Sequence, residues 1–367
     1  MKSPDGSICF LLRPPVLPEN NLRITYSNLI IMKSVVRFFL ILAILPALVL
    51  TSCKEDAVVP EFEVLVEYMA ANNMDLNNVL DGWVKSGSAI NVNVTDYSVP
   101  DYYVIDLRSA TDFDAGHIKG AHNSTLGNIL DEASIAAGKP ILVVCYTGQT
   151  AARGVGALRL MGFEAYSLKW GMSGWHADLA GKWNSNATDF ASPNWVTTGA
   201  PPENTAFEFP TLATGKTTGA EILEARVKTA LANPSWTVTK TDALSTPGNY
   251  FINNKWPLAS WDEYGHINGA VRIDEDLLIS GVKFLDPDKT VLTYCYTGQT
   301  SAITTLWLDV LGYDAKSLLF GANGIVYTSL LTGTAGNGPK VSWKGAGSGS
   351  EMNFGFYETS GTYHPPL

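Results

Sequence analysis

The residues best suited to chemistry are the run Cys145-Tyr146-Thr147-Gly148-Gln149-Thr150, which returns letter for letter as Cys295-Tyr296-Thr297-Gly298-Gln299-Thr300. A cysteine reacts as its thiolate, and a thiolate is stabilised by the N–H groups and the positive dipole end of a helix N-terminus. Each copy supplies that setting. Ahead of the cysteines stand Ile141-Leu142-Val143-Val144 and Val291-Leu292-Thr293-Tyr294, short β-favouring runs. Behind them, Ala151, Val155, Leu158 and Met161 are closed by Gly162, and Ile303, Leu306, Val310 and Leu311 by Gly312, all at helical spacing. The pattern predicts a cysteine loop between a buried strand and a helix, with a thiol more acidic than usual. A buried structural cysteine is the plainer reading of one such site. Six identical residues kept in two copies with diverged flanks favour a reactive one.

The elements that must position these loops follow from length and composition. A chain of 367 residues exceeds one ordinary core, so two domains are expected, one around each loop. Helical spacing of Phe62, Leu65, Val66 and Met69 marks a helix over Glu61 to Ala71, and Glu221 to Leu231 opens the later copy the same way. The predicted organisation is a first domain over 57–190, a Pro/Thr/Gly-rich linker over 191–219, a second domain over 220–345 and a Gly/Ser/Pro-rich tail over 346–367 that drapes over a domain or stays mobile. Formal charge is −10, with no Lys/Arg cluster, which argues against a nucleic-acid partner.

The N-terminus reads as an export signal. Met32-Lys33 and Arg37 precede an apolar stretch from Phe38 to Leu50, too short to span a bilayer comfortably. Residues 1–31 then lie upstream of the true start and 32–52 form the signal. Leu50-Thr51-Ser52-Cys53 resembles the bacterial lipobox, which implies a lipid on Cys53 and a protein anchored to a membrane, facing the periplasm or the cell surface. Of four cysteines, Cys9 falls upstream and Cys53 carries lipid, leaving Cys145 and Cys295. Free thiols are expected, because a disulfide would require the two loops to face each other.

Further shared segments flank the loops. Gly116-His117-Ile118-Lys119-Gly120-Ala121 matches Gly265-His266-Ile267-Asn268-Gly269-Ala270, and Leu160-Met161-Gly162-Phe163 matches Val310-Leu311-Gly312-Tyr313. With Tyr103-Val104-Ile105-Asp106-Leu107-Arg108 and the closing Leu168-Lys169-Trp170-Gly171-Met172-Ser173-Gly174-Trp175, these resemble the rhodanese family over roughly residues 60–185 and 215–345. The resemblance implies an α/β fold of two tandem rhodanese-like domains, each a mainly parallel five-stranded sheet flanked by helices. Alternation of short apolar strands with helical patterns points the same way.

The resemblance implies sulfurtransferase chemistry, in which Cys145 and Cys295 take a sulfane sulfur as a persulfide and hand it to a thiophilic acceptor. The cradle would be Tyr146, Thr147, Gly148, Gln149, Thr150 and Ala151, repeated as Tyr296, Thr297, Gly298, Gln299, Thr300 and Ser301. The partners are then a small sulfur-containing donor and its acceptor. No cofactor is implied, and five scattered histidines show no metal-ligand spacing. Asp106, Arg108 and Asp112 are expected to orient the fold by ion pairing, and His117 and His266 to brace loops.

Departures from the family pattern are informative. Thr150 and Thr300 stand where many members carry arginine or lysine, so Thr147, Gln149 and Thr150 either offer neutral donors to the substrate or simply close the turn, and a donor less charged than thiosulfate, such as polysulfide or a persulfide, is expected. Ala151 and Ser301 occupy the position of the phosphate-clamping arginine in Cys-x5-Arg phosphatases, and Arg153 lies two residues beyond it, which argues against that chemistry. In the second copy Asn253-Asn254-Lys255 is aligned with Asp106-Leu107-Arg108, and Ile325 replaces Trp175. Trp170 and Phe320 replace a glycine and either wall the pocket or belong to the core. The competing reading is a non-catalytic sulfur-carrier or protein-interaction module.

Overall fold

A computed structural model describes residues 59–273, 277–345 and 352–367. The signal region and Cys53 lie outside the described residues. The first domain contains α1 (Glu61–Ala71), α2 (Leu76–Val79), β1 (Val84–Lys85), β2 (Tyr103–Asp106), α3 (Ala110–Asp114), β3 (His122–Asn123), α4 (Ile129–Ser134), β4 (Ile141–Val144), α5 (Gln149–Leu160), β5 (Ala165–Leu168) and α6 (Gly181–Asn186). Its sheet has the order β1-β5-β4-β2-β3, every pairing parallel. All four residues of β4 are buried, as a central strand covered on both faces requires.

After β6 (Trp195–Val196), the second domain repeats the plan with α7 (Gly219–Ala232), β7 (Thr237–Val238), α8 (Lys240–Ser245), β8 (Tyr250–Asn254), α9 (Leu258–Tyr264), β9 (His266–Ile267), β10 (Thr290–Tyr294), α10 (Gln299–Val310), β11 (Ala315–Leu318) and α11 (Tyr327–Thr332). Its sheet is four-stranded, β7-β11-β10-β8, again parallel. The position of β3 is held here by a single bridge, Asn253 to Val271, so the expected fifth strand is reduced to one contact.

The loop helices α5 and α10 pack against each other within one core cluster that includes Val155 and Leu158 from α5 and Ile303, Leu306 and Trp307 from α10. Gly156 permits this approach, since a Cβ there would stand 2.9 Å from the Leu306 side chain. At the same junction Arg153 Nη2 meets Asp309 Oδ2 at 2.6 Å, with both side chains nearly inaccessible. The α1 and α7 helices also meet, where Gly219 lies under the Tyr68 ring. The facing sides of the two domains thus share one hydrophobic cluster, while each domain keeps another of its own.

Each domain is finished by chain from beyond the other. Downstream of the first domain, Thr188 N–H donates to Asn323 O (3.0 Å), Phe190 N–H to Ile325 O (2.8 Å), and β6 pairs antiparallel with β9. Downstream of the second, Met352 N–H donates to Gly174 O (2.8 Å) and Phe354 N–H to Trp175 O (2.9 Å). There β12 (Phe356–Tyr357), paired with β13 (Tyr363–His364), bridges His117 through Tyr357. Residues 352–367 of the tail therefore drape over the first domain, and Trp195–Val196 of the predicted linker pairs with β9 in a separate two-stranded sheet.

Candidate active site

Cys145 and Cys295 each follow the last residue of a central strand, β4 or β10, and each loop ends at a glycine in the left-handed region, Gly148 (φ 81) or Gly298 (φ 76), that starts the following helix. That turn folds the loop back on the thiol. Cys145 Sγ accepts from Gly148 N at 3.2 Å and Ala151 N at 3.4 Å, and Cys295 Sγ accepts from Ser301 N at 3.4 Å. The backbone of the next turn closes over the loop: Met172 N–H donates to Cys145 O and Ala322 N–H to Cys295 O. Gly171 and Gly321 are required there, since a Cβ would stand 2.2 Å from Cys145 O and 2.3 Å from Cys295 O. Trp170 and Phe320 precede them at φ 69 and 61, which accounts for glycine in the family pattern at a position these aromatics occupy under strain.

Both thiols are free and buried, 4% and 5% exposed. The expected acidity is not what the closed first loop gives: burial pushes the Cys145 thiol up, and although the N–H groups of Ala151, Thr147 and Gly148 pull it down, nearby Asp106 adds to the rise. Desolvation outweighs the cradle.

The two loops do face each other. Gln299 Nε2 donates to Thr147 O at 3.0 Å, and Gln149 Oε1 accepts from Phe320 N at 2.8 Å. Each glutamine thus spans the domain junction. Thr147 Oγ1 accepts from Gln149 Nε2 (3.0 Å) and so orients that side chain, whereas Thr297 Oγ1 accepts from the backbone N–H of Gln299 (3.3 Å). Thr300 uses its carbonyl within α10, accepting from Thr304 Oγ1, while Thr150 is half-buried on the first turn of α5. An aromatic cluster covers the first loop: Trp183 donates from Nε1 to Thr147 O (3.2 Å) and packs on Trp170, Phe320 and Trp343 with centroids 5.0, 5.1 and 5.9 Å away. Trp183 and Trp343 carried no motif in the sequence; only the fold brings them together.

The scaffold residues divide. Arg108 binds Asp106 through Nε and Nη2 and also donates to Gly116 O, a buried brace. Asp112 makes no such pair; its carboxylate accepts from Tyr146 OH at 2.6 Å and so holds the cysteine loop itself. His117 stacks on Phe113 and bonds Phe113 O through Nδ1, and His266 stacks on Trp261 at 3.5 Å, where burial pushes its pKa down. Both act as braces. The ladder corrects one alignment: Asp106 lies opposite Val144 and Asn254 opposite Tyr294, so Asn254-Lys255-Trp256, shifted by one residue, replaces Asp106-Leu107-Arg108. Trp256 stacks on Tyr296 at 5.1 Å where Arg108 lies over Tyr146, and Ser260 hydrogen-bonds Tyr296 OH at 2.6 Å where Asp112 bonds Tyr146.

Comparison with known proteins agrees with this arrangement. The rhodanese-like domain family matches residues 92–178 and 247–326. The chain is similar to a thiosulfate sulfurtransferase GlpE of Shewanella oneidensis, 35% identical over 77 residues, 20% of this chain and 74% of that protein. It is 30% identical over 86 residues to the protein of the same description from Pseudoalteromonas translucida, covering 22% of this chain and 80% of that one. Among solved structures, a thiosulfate sulfurtransferase from Pseudomonas aeruginosa is 14% identical, covers 79% of this chain and 48% of its own, and superposes with a TM-score of 0.25. With two loops, two parallel sheets and two matched segments, the chain belongs to the rhodanese family and carries two rhodanese-like domains in tandem.

Proposed function

We propose that this protein is an exported, lipid-anchored sulfurtransferase that moves sulfane sulfur through a cysteine persulfide. The observation that carries the reading is the cradle of backbone N–H groups on each sulfur, from Gly148 and Ala151 on Cys145 and from Ser301 on Cys295, which suits a sulfur that alternates between thiolate and persulfide anion. In the first half-reaction the thiolate attacks the terminal sulfur of the donor. A bond forms to Sγ, the donor's S–S bond breaks, and its electron pair leaves with a thiolate, or with sulfite if the donor is thiosulfate. In the second, an acceptor thiolate or cyanide attacks the outer sulfur and the cysteine thiolate leaves.

Polysulfide or a persulfide suits this site better than thiosulfate. Neither loop carries a cation, and the first loop is covered by aromatic rings, so nothing in the loop neutralises a dianion. Anchoring rests on the Leu50-Thr51-Ser52-Cys53 pattern and on an upstream apolar stretch. Burial of both thiols favours a second reading, a module that holds sulfur without turnover.

Intact mass of the full chain before and after polysulfide or thiosulfate, with cyanide added last, tests the proposal. A gain of one sulfur per working cysteine, released by cyanide as thiocyanate, is expected. Persulfide that forms but resists acceptors would support the carrier reading, and no adduct on reduced thiols would reject sulfur transfer.

A further inference from the structure

The two loops share six residues, yet their sulfurs do not share surroundings. Behind Cys295, Ser301 Oγ lies 3.6 Å from Sγ and 2.7 Å from Ser317 Oγ, which in turn is 3.4 Å from Gly298 O. These hydroxyls are buried, so their hydrogens have few alternatives to this chain. In the first domain Ala151 takes the place of Ser301 and offers Cys145 Sγ no hydroxyl, only its N–H beside that of Gly148. Ser167 remains in the place of Ser317, and its buried hydroxyl has no partner. One half of the same pair is present in the first site without the other.

The contrast extends across the sheet. Beside Ser317 in the ladder stand Thr293 and Asn253, whereas beside Ser167 stand Val143 and Ile105. Thr293 Oγ1 and both side-chain polar atoms of Asn253 are buried and unpartnered. Charge differs too: Asp106 acts on Cys145, and its ladder counterpart is the neutral Asn254.

We propose that Ser301, held by Ser317, hydrogen-bonds the reacting sulfur of Cys295 in both its states and makes the second-domain cysteine the one that ionises and takes sulfur more readily. In the thiol form the S–H donates to Ser301 Oγ, which donates to Ser317. In the anion the Ser301 hydrogen turns to sulfur, Ser317 keeps its hydrogen on Gly298 O or turns it to Ser301 Oγ, and the thiol proton goes to solvent. The clause about sulfur rests on the sulfurtransferase reading; the clause about ionisation does not. Ionisable groups on the elements around Cys295 are Tyr250 on β8 and Lys255 after it, Tyr294 and Tyr296 beside the cysteine, Asp309 on α10 and Lys316 on β11. Asp309 is committed to Arg153. Around Cys145 they are Tyr103 and Asp106 on β2, Arg108, Asp112, Tyr146, Arg153 and Arg159 on α5, Tyr166 on β5 and Lys169.

The test is iodoacetamide alkylation of the full chain at a series of pH values, each cysteine read separately by peptide mass spectrometry. Cys295 is expected to show the lower midpoint. Ser301→Ala should raise that midpoint by about half to one pH unit, the size of one hydrogen bond, while the Cys145 midpoint stays in place. Ala151→Ser supplies the missing partner of Ser167 and should lower the Cys145 midpoint without lowering the melting temperature. An unchanged Cys295 midpoint in Ser301→Ala, or an unchanged Cys145 midpoint in Ala151→Ser, overturns the proposal. Limiting polysulfide should label Cys295 first; label on Cys145 first overturns the sulfur clause, while label on neither rejects sulfur transfer and leaves the ionisation result standing.

Discussion

Gln149, at the start of the first loop helix, accepts a hydrogen bond from the backbone N–H of Phe320 in the opposite domain at 2.8 Å. Its counterpart Gln299 donates to Thr147 O at 3.0 Å, so Gln299 bonds the first cysteine loop and Gln149 the turn that covers the second. The repeated hexapeptide therefore has two duties: its backbone serves the sulfur of its own domain, and its glutamine closes the junction.

The two glutamines should not be equivalent. Replacing Gln149 with leucine leaves the Phe320 N–H without its partner, at a cost of about 1–3 kcal/mol for a buried donor. Replacing Gln299 leaves Thr147 O still bonded to Trp183 Nε1, so the loss should be smaller. Denaturant unfolding of both variants checks the order, and equal losses would contradict it.

Arg153, one turn into α5, is committed to Asp309 and to Ala230 O and lies over the Trp236 ring at 5.0 Å. Removing either charge strands the other, and a loss of about 3–5 kcal/mol is expected for Arg153→Met or Asp309→Leu. The double variant should lose less than either single one. A double-mutant cycle on unfolding free energy measures the coupling, and additive losses would show that the pair does not hold the domains together.

Cys145 should be a slow thiol in the resting chain. Its pKa is raised in the fold by burial, so in alkaline solution the unfolded chain loses its proton first and stability falls as pH climbs through and above the ordinary thiol range; below that range the thiol adds no slope. Alkylation of Cys145 should begin above the pH at which a model thiol reacts. Comparing stability against pH for the parent and Cys145→Ala isolates the effect, because the alanine variant should lack the alkaline loss from this group.

Residues 352–367 of the tail pack on the first domain. Phe356 is 3% exposed in the core beside Trp175 and Ile118, so Phe356→Ala should cost about 3–5 kcal/mol. Hydrogen exchange should accelerate at His117, whose N–H donates to Tyr357 O, while Ile267 N–H, bonded to Tyr294 OH, keeps its protection. Equal acceleration at both sites would mean that the tail acts on the whole body.

Much of this protein was legible in its sequence because local patterns decide it. The runs ending at Val144 and Tyr294 are strands because four or more β-favouring residues end at a loop, and α1 spans Glu61–Ala71 as its apolar spacing indicates. The repeated hexapeptide by itself located both thiols, and Gly148 and Gly298 have the positive φ that a tight return to the sulfur demands. Sequence could not show which surfaces meet. A glutamine that ends in its own loop and one that reaches across a domain junction look alike until the helices pack. Asp112 reads as a scaffold charge until Tyr146 is placed beside it, and the ladder had to establish that Asn254, not Asn253, stands in for Asp106. The inequality of the two sulfurs depends on Ser167 and Ser317, which lie far from their cysteines in the chain and behind them in space, because parallel strands bring together residues that sequence separates.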